Sequence, residues 1–177
     1  MPSGKTHDLV TFALAPLTFA AAWGLTWSFV LSATATVAML FGGLMFGPDL
    51  DIQSRQYTRW GVFRFLWLPY KVVFRHRSRW SHGIIFGTLI RVVYFAGVLT
   101  ILVWVGVYLR AAFLTGDAVP GWREVAHVWR VVEVGAANYG LGRPALLAAL
   151  AGLWWGAASH TLTDVGWSVV RKGSEIF

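Results

Sequence analysis

The sequence predicts an all-α protein built into a membrane. It reads as a bundle of about four transmembrane helices, with an interfacial aromatic and basic segment between the second and third. Three observations carry this. Hydrophobic residues make up 56% of the 177 positions and charged residues 13%, about half the charged share that a water-facing surface needs. Positions 9–48 hold no charged side chain, which is room for two spans of about 20 residues each. The net charge of +7 is concentrated in segments between the apolar runs, the pattern of positive loops held on a cytoplasmic face.

The first span is expected over 9–23 and the second over 28–46, joined by a tight turn at 24–28. Lys5, the apolar stretch 9–20 and Ala20, Ala21 and Ala22 also have the makings of a secretory signal peptide. Asp8 is out of place in the basic head such a signal requires. A loop over 48–81 follows, and between positions 52 and 80 every charged residue is basic. Within it, residues 60–74 mix aromatics with Arg64 and Lys71 and are interrupted by Pro69. That mixture favours the headgroup layer, so this stretch is expected to lie on the cytoplasmic leaflet.

The third span covers 83–109, and its start is open to two readings. Either the apolar run after Arg91 spans alone and His82 stands on a helical extension of roughly 15 Å, or the span starts near His82. In the second case Arg91 snorkels or faces the interior, at a cost of about 2.5–3.5 kcal/mol. Residues 115–142 carry balanced charge and suit an outer loop, with an amphipathic helix over 121–134. The fourth span, 145–164, opens after Pro144. Both termini and both strongly basic segments then fall on the cytoplasmic side of an inner membrane. Membrane lipids are the expected partners, anionic headgroups at the basic loop among them. Nucleic acid is not expected, because its common reading modules carry no comparable apolar runs.

This topology gathers ionisable groups at one face of the bilayer. His7 precedes the first run, and Asp49 and Asp51 end the second within Gly47-Pro48-Asp49-Leu50-Asp51. His76 and His82 frame the approach to the third, and His160 lies four residues before Asp164 in the last. A spacing of four puts His160 and Asp164 on one helix face, and ionisable groups inside a span usually face the interior with a specific partner. Asp49 and Asp51 alternate on an extended segment after Pro48, so they point apart unless the backbone turns. Taken singly, the acids fit a solvated helix stop, the loop histidines fit solvent, and His160–Asp164 fits a structural hydrogen bond. Their convergence points instead to a metal centre with His7, Asp49, Asp51, His76, His82, His160 and Asp164 as candidate ligands.

With no cysteine in the chain, nitrogen and oxygen must hold any metal. A mixed imidazole and carboxylate set suits a divalent ion such as zinc, manganese, iron or nickel. Seven candidates exceed the four of one tetrahedral site, so either some orient the ligands or two metals are bound. Arg77 and Arg79, with Arg55, are candidates for clamping an anionic substrate, although the positive-inside signal accounts for them equally well.

In the order His7, Gly47-Pro48-Asp49-x-Asp51, His76-Arg77-x-x-x-Ser81-His82 and His160-x-x-x-Asp164, the chain resembles a family of uncharacterised metal-binding membrane proteins. These are related to predicted inner-membrane metal-dependent hydrolases of the LexA-regulated type. The N-terminal Met1-Pro2-Ser3-Gly4-Lys5-Thr6-His7-Asp8 reads like theirs, and the likeness extends to about Gly166. In the relatives the third motif runs His-Arg-Gly-x-Thr-His-Ser. Here the interval between the histidines is one residue longer, which sets His76 last among the ligands. The resemblance implies metal binding and a membrane location more than any reaction. With the site at the cytoplasmic membrane interface and the basic loop drawing anionic headgroups, the expected function is a metal-dependent hydrolase of a lipid-like ester or phosphoester. The alternatives are a non-catalytic metal staple or a metal transporter, the latter opposed by the lack of polar residues in the outer halves of the spans.

Overall fold

The computed structural model describes residues 3–74, 78–115 and 121–174. Among them the chain is helical, with no strand. Four helices are long and apolar enough to cross a membrane: Gly4–Thr26, Phe29–Asp51, Phe86–Leu114 and Arg143–Val170. Two compact units are present, Met1–Arg91 with Pro144–Phe177, and Val92–Arg143.

In the first unit, helix α1 (Gly4–Thr26) begins five residues before the expected span. Ser3 is the reason: its hydroxyl caps the helix by accepting from the Thr6 N–H, satisfying a donor that a helix start leaves open. His7 and Asp8 therefore sit on the helix rather than ahead of it. The turn into α2 (Phe29–Leu44) places Trp27 in the left-handed region at φ +49°, a conformation uncommon for a residue with a side chain. Gly24, which would adopt it freely, lies inside α1.

Helix α2 ends at Leu44, ahead of Pro48. Pro48 instead opens a 3-10 turn, Pro48–Asp51, where its missing N–H costs nothing. The expected extended run through Asp49 and Asp51 is thus a tight turn, and it carries both acids back under the helix ends. A short helix α3 (Arg55–Thr58) follows, then a 3-10 stretch Gly61–Trp67 and α4 (Leu68–Val73). Pro69 sits at the start of α4 and does not break it. Trp67 and Tyr70 are fully buried here, with Trp67 edge-on to Phe46, Trp60 and Tyr70. Val62, Phe63, Phe65 and Val72 point outward, so this segment has an anchored side and an exposed apolar side.

Helix α5 (Arg79–His82) is a single turn, and α6 (Phe86–Arg110) starts after it. His82 is therefore not on an extension of the third span. Arg91 lies within α6 and is 2% exposed. Its guanidinium donates to the Ser81 carbonyl at 2.7 Å and to the Thr88 hydroxyl at 3.1 Å, tying α5 to α6. Burial pushes the neighbouring Tyr70 phenol up against the opposing pull of this cation.

Helix α8 (Arg143–Ser174) meets α2 backbone to backbone. A Cβ on Gly152 would run into the Ala35 carbonyl, and one on Gly156 would stand 2.7 Å from the Gly43 nitrogen and 2.9 Å from the Met39 carbonyl carbon. The two glycines are four apart on one face, the small-residue spacing that lets apolar helices approach closely.

In the second unit, α7 (Trp122–Asn138) is amphipathic, as expected, and runs four residues beyond the anticipated end. It stops where Gly140, at φ +75°, lets Leu141 N–H reach the Ala136 carbonyl and its own N–H reach Ala137, the paired bonds of a glycine C-terminus.

Candidate metal centre

Four segments of the first unit deliver the site. His7 is one turn into α1, with Thr11 donating to its carbonyl at 2.9 Å. His160 and Asp164 lie on α8 below the glycine contact, Asp49 on the 3-10 turn, and His82 at the end of α5. The rings of His7 and His160 stack with centroids 3.7 Å apart and planes 11° from parallel. Both are buried, at 7% and 4% exposure. Two stacked imidazoles cannot both carry charge cheaply away from water, so the pair is suited to a shared cation or to carboxylates.

Both kinds of partner are arranged around them. His7 Nε2 lies 3.4 Å from Asp164 Oδ1. His160 Nε2 lies 3.3 Å from Asp49 Oδ2 and 3.9 Å from Asp164 Oδ2. Ligand atoms of His7, His160 and Asp164 all fall within 4.8 Å of one another. A charge-assisted N–H···O bond would be about 2.7–2.9 Å. The 3.3–3.4 Å separations are longer than that and are compatible with the roughly 3.3–3.4 Å edge of a tetrahedron whose metal–ligand bonds are about 2.0–2.1 Å. His7 Nδ1 and His160 Nε2 are also buried without a well-formed hydrogen bond. Beside the cluster is a cavity of about 20 Å³ lined by Gly4, His7, Asp8, Gly43, Asp49 and Arg55 among others, enough for one water-sized guest. The residues fit a divalent ion.

Gln56 holds the geometry, and nothing in the sequence singled it out. Its amide nitrogen donates to the Gly43 carbonyl at 2.8 Å, and its amide oxygen accepts from the Asp49 N–H at 3.1 Å. Those two bonds fix the amide so that its NH2 donates to His160 Nδ1 at 3.1 Å, which leaves the proton of the neutral ring on Nε2, facing Asp49. Gly47 makes room for it, since a Cβ there would stand 2.8 Å from the amide carbon. One side chain thus sets both the rotation of His160 and the seat of Asp49.

Asp49 also faces a second imidazole. His82 Nε2 lies 3.3 Å from Asp49 Oδ1. The far nitrogen of that ring, Nδ1, is 3.1 Å from the Ser81 hydroxyl and 3.8 Å from Asp51 Oδ2. Asp51 therefore stands behind His82, on the opposite side of the ring from Asp49, with its side chain wholly buried. His76 and Arg77 lie outside the described residues, as does the side chain of Arg79, which opens α5.

Two arginines of the basic loop have a structural task. Arg59 grips Asp8 with both terminal nitrogens, at 2.8 and 2.6 Å, and also donates to the Leu44 carbonyl. Arg55 reaches the same carboxylate at 2.8 Å while remaining half exposed at the cavity's rim. The fork of a guanidinium matches a carboxylate in this way, and here it pins α3 to the start of α1. Asp8, unremarkable in the sequence beyond its disagreement with a signal peptide, is the anchor.

These features define a helical protein with four membrane-length apolar helices and a buried His/Asp cluster able to hold a metal ion. The chain belongs to the family described as uncharacterised metal-binding protein (DUF2227), whose model matches residues 2–173. A relative from Aquifex aeolicus (strain VF5), described as an uncharacterised protein, is 37% identical over 59 residues. That match covers 33% of this chain and 41% of the relative, so the chain spans about two fifths of the relative's length. No solved structure matches.

Proposed function

We propose that this protein is a membrane-bound, metal-dependent hydrolase acting at the cytoplasmic membrane interface on a lipid-like ester or phosphoester. The observation that carries it is the grouping of His7, His160 and Asp164 at the ends of apolar helices, beside a small cavity that His7, His160 and Asp49 line. A divalent ion there (zinc, manganese, iron or nickel) would supply Lewis acidity and a water activated near neutral pH. His7, His160 and Asp164 would hold the ion, with the His160 Nε2 proton released on binding, and Gln56 keeps His160 and Asp49 in register. His82, steadied at Nδ1 by Ser81, presents Nε2 to the centre as a site where a proton can be held. Arg55 at the rim offers its exposed face to an anionic group.

The membrane setting supports the substrate class. Exposed Val62, Phe63, Phe65 and Val72 beside Arg64 and Lys71 suit the headgroup layer, and the basic loop would draw anionic headgroups toward the cavity. Kinship with the predicted inner-membrane hydrolases rests on the motif resemblance alone. The test is hydrolysis of a panel of phospholipids and simple esters by detergent-purified protein and by Asp164→Ala. Metal-dependent turnover by the native chain and its loss in a folded Asp164→Ala is the expected result. Turnover that persists without metal would sink the proposal.

A second reading has its own support. Asp49 Oδ2, 3.3 Å from His160 Nε2, stands next to the three-donor group of His7, His160 and Asp164, and its entry would complete the closed four-donor set typical of structural zinc rather than catalytic zinc. In that case the ion staples α1, α8 and the 3-10 turn together. Chelation would then lower thermal stability while no substrate is turned over.

A further inference from the structure

Helices α1, α2 and α8 approach one another unevenly. At one end the His7 and His160 rings stack between α1 and α8, and Gly152 and Gly156 bring α8 onto the α2 backbone. Farther along α1, a groove of about 450 Å³ opens among the three helices, the size of a small-molecule site rather than of a packing defect. Side-chain size explains it. Thr18, Ala21 and Ala22 face the groove from α1, Ala35 from α2, and Ala151 and Gly152 from α8, and none is large enough to fill the gap. The lining carries no charge. Its Thr18 hydroxyl donates to the Leu14 carbonyl at 2.9 Å and its Trp154 indole N–H to the Ile84 carbonyl at 3.0 Å, so both are already engaged. A polar guest would give up hydrogen bonds there without compensation; a hydrocarbon would not.

The groove is aligned with the metal centre. His7, Thr11, Leu14, Thr18, Ala22 and Leu25 follow one another at intervals of three or four, which is one face of α1. His160, Gly156 and Gly152 do the same on α8. Lining residues on α1 run from Leu14 to Leu25, roughly 16 Å of helix that starts roughly 10 Å beyond His7. Positions 9–48 and 144–163 hold no Asp, Glu, Lys or Arg, while Asp8, Asp49 and Arg55 line the small cavity at the His7 end. The guest that matches this polarity is charged at one end and hydrocarbon along the rest. We infer that the groove seats an acyl chain of a membrane lipid whose polar end lies at the metal centre. The role of that polar end rests on the hydrolase reading above; the seating of the chain does not. Lipid tails are as apolar as leucine, so the groove selects by shape and length rather than by expelling water. A chain must pass Thr11 before it meets the lining at Leu14, so long-chain lipids are held and short-chain esters are not.

The test is photo-crosslinking of the full-length protein in nanodiscs of phosphatidylglycerol that carries a diazirine either at the end of an acyl chain or beside its ester carbonyl. The chain-end probe is expected to label residues 14–25 and 151–155, and the carbonyl probe residues nearer His7. Thr18→Trp, which plugs the groove, should abolish the chain-end labelling there and keep the native metal content. Should Thr18→Trp fail to purify as a monodisperse species, Ala22→Phe takes its place, and the two probes on the native protein still report the direction of the chain. Chain-end labels spread evenly over the apolar helices, or unmoved by the plug, would overturn the chain site. So would the reverse order of depths, which marks a chain entering from the opposite leaflet, and an unlabelled groove, as when a second copy of the chain covers it. Lipid turnover is read on the same preparations. Groove labelling without turnover would overturn the hydrolase reading and leave the chain site standing; turnover with an unlabelled groove would do the opposite.

Discussion

Gly156→Ala is a one-methyl change that should reach the metal centre without touching it. Gly156 is one turn before His160 on α8, about 6 Å along the axis. The new Cβ would stand 2.7 Å from the Gly43 nitrogen and 2.9 Å from the Met39 carbonyl carbon, where ordinary contact begins at 3.4 Å. The shortfall is more than 0.7 Å, because the Met39 carbonyl oxygen is closer still, and it falls on backbone, so no side chain can swing away to absorb it. The helices must part. Metal–ligand bonds tolerate about 0.2 Å, and Gly43 also carries the carbonyl that seats Gln56, so a shift of this size pulls His160 off the Asp49 side of the site. Overpacking of this kind typically costs about 1–3 kcal/mol. Metal affinity is expected to fall roughly tenfold or more, about 1.4 kcal/mol per decade, together with a lower midpoint of thermal unfolding in detergent. Gly166→Ala is the control, because a Cβ there meets nothing within 4 Å. Competition with a chromogenic chelator and a melting curve read both quantities. A Gly156→Ala protein with native affinity and native melting would refute the close-contact account of how α2 and α8 place the ligands.

Three further expectations follow from the same geometry. Gln56→Leu leaves the Gly43 carbonyl, the Asp49 N–H and His160 Nδ1 without this partner and should lower the melting midpoint, at about 1–3 kcal/mol for a buried group left unpaired; a melting curve measures this, and an unchanged midpoint would mean the amide is a bystander. Arg91→Met should free α5 by deleting the bonds to Ser81 and Thr88, at about 1.5–3 kcal/mol for a charged donor, and hydrogen exchange at residues 79–82 should rise while exchange in α1 does not. Stripping the metal should lower the melting midpoint, with a stabilisation of about 4 kcal/mol expected at free metal a thousandfold above the dissociation constant. A midpoint indifferent to metal would show that the ion does not hold the helix ends together.

The sequence by itself determined a good deal. Apolar length is a local property that can be counted along the chain, and four such stretches were evident, as was the amphipathic pattern of α7. Absence of cysteine fixed the donor chemistry as nitrogen and oxygen. The spacing of His160 and Asp164 placed them on one helix face because helical geometry is local too. The early start of α1 could also have been read, since Ser3 followed by an uninterrupted helical run is a recognisable cap, and so could the Gly152-x-x-x-Gly156 spacing.

Tertiary structure alone decided the rest. Whether Asp49 and Asp51 act together depends on the backbone between them, and the 3-10 turn sends one to the His160 side and the other behind His82. Gln56 is an ordinary polar residue in a basic loop until α3 folds beneath Gly43 and Gly47. Arg91 read equally well as a boundary or an interior charge, and only the fold shows it buried against the carbonyl of Ser81, ten residues away. The reason is common to all of them. Composition and period report what a segment prefers alone, but a metal site is made of distances between segments. Those distances are set by how closely α2 and α8 approach and by where each turn sends its side chains.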